Sequence, residues 1–114
     1  EALRASTVTT KPITYEPREV VYSIRKNLEK QSTDSVVYTP TGEISREVVG
    51  KNEFYYGVTK IEYKKEKQVV YLNTFVIYKN NKMYCFDFYV DEAYHGLNYR
   101  DNYIRPILKS VTLN

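Results

Sequence analysis

The sequence predicts an α+β domain, an antiparallel sheet of about five strands with an N-terminal and a C-terminal helix packed on it. Three observations predict it. A helical apolar stripe lies near the start, extended periodicity then runs from Val36 to Val90, and helical spacing returns after Asn98. A chain of 114 residues, 42% hydrophobic and 27% charged, has room for one such core and not for two.

Ala5 to Thr14 is rich in Ser and Thr, lacks apolar periodicity and contains Pro12, so it reads as a linker or a loosely attached first strand. Residues 1–13 are accordingly assigned to a linker or tether, and 14–114 to a single domain. Pro17 suits a first helical turn, Glu16 and Glu19 face the positive end of the helix dipole, and Arg25, Lys26 and Lys30 the negative end. Val20, Val21, Ile24 and Leu28 form one stripe, which predicts a helix over Pro17–Lys30.

Val36–Tyr38 is a short strand expected to end in a turn at Thr39-Pro40-Thr41-Gly42, and Glu43–Val49 returns as a second, partly polar one. Phe54–Tyr63 follows, then a hairpin end at Lys64–Lys67. Gln68–Tyr78 is apolar on both faces, the mark of a central strand covered on each side. Asn80-Asn81 is a two-residue hairpin turn, because Asn tolerates the left-handed backbone such a turn requires, and Met83–Val90 is its return strand. A loop through Ala93, Tyr94, His95 and Gly96 leads to Asn98 as a helix cap. Pro106 then either kinks the closing helix or opens its second part.

Seventeen Lys and Arg against fourteen Asp and Glu give a net charge of +3, with the signs interspersed. The Lys60, Lys64, Lys65 and Lys67 cluster is interrupted by Glu62 and Glu66, which suits a solvated hairpin end better than a phosphate track, so no nucleic-acid partner is expected. No apolar run is long enough to span a bilayer. A start at Glu1 is expected to reflect a processed or trimmed chain, with a signal peptide or lipid anchor as the implied N-terminal tether.

Cys85 is the single cysteine and lies in an apolar strand, where a thiol behaves as a small hydrophobe. A Cys85–His95 dyad is disfavoured because the strand carries the two apart, and Asp91, Glu92 and His95 are adjacent ligands without a fourth, a poor metal site. Lys82–Tyr89 is superficially similar to the aromatic strand of an RNA recognition motif. It departs at Met83, where a small residue is needed, and at Asp87, which adds negative charge. Sealing of the central strand by helices on both sides is expected to leave no concave pocket lined by ionisable groups, and no cofactor is expected.

Thirteen Tyr with no Trp is the unusual feature of the composition. It fits either the codon bias of an AT-rich genome or a binding surface, since a phenol offers apolar area and a hydroxyl at low conformational cost. Tyr55, Tyr89, Tyr94, His95 and Tyr99 are the candidate binding residues. The aromatic hairpin Tyr78-Lys79-Asn80-Asn81-Lys82-Met83-Tyr84, the strand through Phe88 and the closing Tyr103–Val111 stretch resemble the PsbP-like family over about Ile44–Leu113. That resemblance implies an extracytoplasmic accessory or lipoprotein-type domain that binds protein partners and performs no chemistry. A cystatin-like fold resembles the stretch up to about Val90 nearly as well. The expected function is therefore a non-enzymatic extracytoplasmic binding domain. The alternatives are a thiol or metal-dependent hydrolase centred on residues 91–95, and a small-ligand carrier with a cup between sheet and terminal helix.

Overall fold

The structure, a computed structural model, describes residues 2–9 as a backbone course, and 16–95 and 98–113 in full. Helix α1 spans Pro17–Lys30, with Pro17 in its first turn, where a missing N–H costs nothing. Four strands follow as an antiparallel meander: β2 (Val36–Val49), β3 (Asn52–Tyr63), β4 (Gln68–Lys79) and β5 (Lys82–Asp91). Ala2–Thr9 is placed as an outer strand, β1, antiparallel to β5 with Ala2 opposite Tyr89 and Thr9 opposite Met83. That strand occupies most of the stretch read as a linker or tether; residues 1 and 10–13 lie outside the described residues.

The predicted strand count needs one correction, because Val36–Tyr38 and Glu43–Val49 are a single strand. The expected turn at Thr39–Gly42 is instead a bulge. Thr41 pairs with Val58 and Ser45 with Tyr56, so β2 advances four residues where β3 retreats two. Pro40 is tolerated because β2 is a sheet edge, where a proline removes no ladder bond to a further strand. Gly42, at φ +69°, supplies the left-handed residue of the bulge. The Asn80-Asn81 turn has both residues at positive φ, +54° and +63°, as a twisted two-residue hairpin requires.

Alternation along the strands separates two apolar clusters. Val21 of α1 is fully buried with Val76, Met83 and Cys85 on one sheet face. Phe54, Phe75, Phe86, Phe88 and Val90 point to the other and cluster with Ile104 and Leu108 of the C-terminal segment. Phe54 and Phe88 each meet Phe75 edge-on, at 6.1 and 5.8 Å between ring centres.

The C-terminal segment differs from a plain helix. After β5 the expected loop begins with a single turn, α2 (Glu92–His95). Asn98 adopts a left-handed conformation and its carbonyl accepts the Asn102 N–H. A π-helical turn over Arg100–Ile104 then runs into α3 (Arg105–Ser110), with Pro106 in the first turn of α3. Pro106 cannot donate to the preceding turn and its ring crowds it, so the wider π turn upstream accommodates the proline. Arg105 ties this segment to the sheet edge by an ion pair with Glu47 and a 2.9 Å bond donated to the Val48 carbonyl.

The junction of α1 with the sheet is built around Arg25, only 9% exposed. Its guanidinium donates to the carbonyls of Thr41 (3.0 Å), Gly42 (3.2 Å) and Val58 (3.2 Å), which lie at the bulge. Gly57 lies beneath: a Cβ there would stand 2.9 Å from Val21 Cγ1 and 3.1 Å from Arg25 Cδ.

Gly57→Ala sets a clash costing about 1–3 kcal/mol against a gain of about 0.4–1 kcal/mol from a stiffer unfolded chain. The clash wins, and urea unfolding should show a net loss of stability. Arg25→Met should cost about 2–3 kcal/mol by the same measurement, because three carbonyls lose charged donors. Arg25→Lys should recover only part of it, since an ammonium lacks the planar fork that reaches all three.

Candidate functional site

On the sheet face away from α1, the apolar carpet is interrupted between Tyr71 and Phe75 by Asn73, which is 3% exposed and lies opposite Val58. A buried amide in the middle of a central strand is informative, because it is seldom placed there without a polar purpose. Its Nδ2 donates to the Tyr71 carbonyl at 3.4 Å, close to the limit of a useful bond. Above it opens a recess of about 250 Å³ lined by Tyr56, Val58, Asn73, His95, Asn98, Tyr99, Arg100 and Asp101.

Each wall has a local cause. Tyr56 stacks flat on Phe75, at 4.8 Å and 10°. Arg100 lies over the Tyr56 ring, 5.2 Å from its centre, donates to the Tyr56 hydroxyl, and keeps its Nε 3.8 Å from Asp101. The π turn carries Arg100 and Asp101 to this position. His95 ends α2 with its ring flat on Tyr71, 3.9 Å between centres and 8° from parallel. Burial pushes the imidazole below its ordinary 6.5, so it is neutral at physiological pH and offers one donor and one acceptor nitrogen.

This arrangement corrects the expectation of a face without ionisable groups in a concavity, since His95, Arg100 and Asp101 share one. The reason lies in the C-terminal segment, which packs Ile104 and Leu108 on the phenylalanine cluster and brings Tyr99, Arg100 and Asp101 to the recess beside Asn73. A second recess, of about 410 Å³, lies beyond Tyr99 and is lined by Asp91, Tyr94, Tyr99 and Tyr103. Tyr99 and Tyr103 stack at 4.8 Å and 29°, one turn apart.

Of the five candidate binding residues, His95 and Tyr99 meet at the first recess, and Tyr94 and Tyr99 at the second. Tyr55 is half-buried in the α1 cluster, and Tyr89 alternates to that same opposite face. Sequence reasoning missed Tyr56, Asn73, Arg100 and Asp101. Asn73 was the legible one, a polar break in an otherwise apolar face of the central strand.

Cys85 faces α1, whereas His95 sits on the other side of the sheet. Burial, reinforced by the nearby Asp87 charge, pushes the thiol up to about 12, so almost none is thiolate at neutral pH. Among the described residues no three His, Cys, Asp or Glu side chains are grouped to hold a metal ion. Asp91 instead lines the second recess and His95 the first. No helix among the described residues is long and apolar enough to cross a membrane. No family model, curated protein or solved structure matches the chain.

The depressed basicity of His95 carries a pH signature. Its neutral form belongs to the folded state, so that contribution to stability is complete above pH 6.5 and is lost as pH falls through the lower folded-state value. Imidazole proton shifts followed by NMR should give a midpoint below 6.5, and Tyr71→Ala, which uncovers one ring face, should move it back toward 6.5.

Proposed function

We propose that this chain is a non-enzymatic binding module that holds a protein partner along the seam where the C-terminal segment meets the sheet. The observation that carries this reading is the exposure of large side chains in that segment. Tyr94 is 51% and Tyr103 58% exposed, Ile107 lies near them in sequence at 36%, and two recesses open beside them. Aromatic rings at the centre of a contact supply most of its energy, and a clustered set of exposed rings marks an interaction surface. The compartment proposed with this reading is extracytoplasmic and rests on the PsbP-like resemblance.

The hydrolase reading loses support from the separation of Cys85 and His95 by the thickness of the sheet. A second binding reading, a small-ligand carrier, is favoured by the buried Asn73 amide under the first recess, a position suited to orienting a polar ligand. Native mass spectrometry of freshly purified protein distinguishes it by a retained mass.

A random peptide library selected against the wild-type chain should yield binders whose affinity falls at least about tenfold on Tyr103→Ser or Tyr94→Ser, the size of a single hot-spot loss. Tyr55→Ser, on the α1 face, should leave them unchanged. Binders sensitive to Tyr55 and indifferent to both other tyrosines would refute the seam as the interaction surface.

A further inference from the structure

We infer that the recess lined by Asp91, Tyr94, Tyr99 and Tyr103 receives a methylated ammonium group, of trimethylammonium type. The inference rests on the seam reading above and adds the chemistry of what is held there. Among the described residues the lining side chains are three phenols and one carboxylate, with neither Lys nor Arg. The faces of aromatic rings carry negative electrostatic potential, so rings gathered around an opening with one anionic group attract a cation and offer little to an anion.

Two features favour a methylated over a primary ammonium. A primary ammonium is a compact, strongly hydrated charge whose three donors must all be satisfied when water is stripped away. One carboxylate does not do this. A trimethylammonium group has no donors to satisfy, spreads its charge over apolar methyls and packs directly on ring faces. The volume, about 410 Å³, admits such a group with a chain attached.

Two of the rings are positioned by contacts within the chain. Tyr99 and Tyr103 are already held against each other at 4.8 Å, on a segment pinned by buried Ile104 and Leu108. Tyr94 comes from the separate α2 turn, so the walls approach from two elements. The chain as a whole carries +3, which opposes a cation at long range. Screening limits that to about 8 Å at physiological salt, so the local set of Asp91 and three rings decides.

The test is a titration of the full chain, followed by NMR of the tyrosine ring protons, with three probes: choline, its uncharged isostere with carbon in place of nitrogen, and N-acetyl-lysine amide. Choline should saturate and shift Tyr94, Tyr99 and Tyr103, with the isostere roughly tenfold weaker. Tyr103→Leu should weaken choline by a similar factor, Tyr103→Phe should stay within about twofold because the ring remains, and Asp91→Asn should weaken it several-fold. Tyr94→Leu reads the same loss should Tyr103→Leu fail to fold. Equal binding of choline and isostere, tighter binding of the lysine amide, or no saturation by choline would each overturn the inference. Library peptides that still depend on Tyr103 while choline does not bind would remove this inference and leave the seam reading standing. Loss of that dependence as well would remove both.

Discussion

The guanidinium of Arg25 is the interaction on which the arrangement of this molecule depends. The bulge in β2 sets the carbonyls of Thr41 and Gly42 beside that of Val58 on β3, under the helix laid across them. Arg25 brings donors to them in one planar group, reaching Thr41, Gly42 and Val58 together. The charge survives burial because its partners are carbonyl dipoles, which solvate it in place of water, although burial does lower its basicity. Gly57 makes the approach possible by removing the one side chain that would hold α1 off the sheet.

That junction commits one face of the sheet to packing. Cys85 and half-buried Tyr55 are spent there, with the thiol kept protonated by its surroundings. The other face carries the phenylalanine cluster under the C-terminal segment and, beside it, a recess with the buried Asn73 amide in its lining. The sheet thus divides the chain's reactive inventory, and its lone thiol and lone imidazole never share a solvent space.

The π turn is the device that joins these parts. An uninterrupted α-helix through Pro106 would clash with its own preceding turn, and the extra residue per turn relieves that strain. It also shifts the angular positions of the residues on either side. Tyr99 and Tyr103 end stacked on one flank, while Arg100 reaches across to Tyr56 on β3. Arg105 and Glu47 fasten the segment where the π turn meets α3, so the tyrosines stand on a backbone anchored by both polar and apolar contacts.

Local rules in the sequence determined the elements whose causes are local. The stripe of Val20, Val21, Ile24 and Leu28 specified α1, and Asn80-Asn81 specified the hairpin, because helical period and left-handed backbone are properties of neighbouring residues. Thr39-Pro40-Thr41-Gly42 misled for the same reason. Its residues favour a turn, and only the edge position of β2 and the Arg25 donors on α1 make a continuous bulged strand the better solution. The recesses lay further still from local reach. Tyr56 and Arg100 are separated by 44 positions, and His95 meets Tyr71 only because α2 folds back over β4. Contacts of that kind depend on how strands register and where a segment stops covering a sheet, which no spacing along the chain encodes.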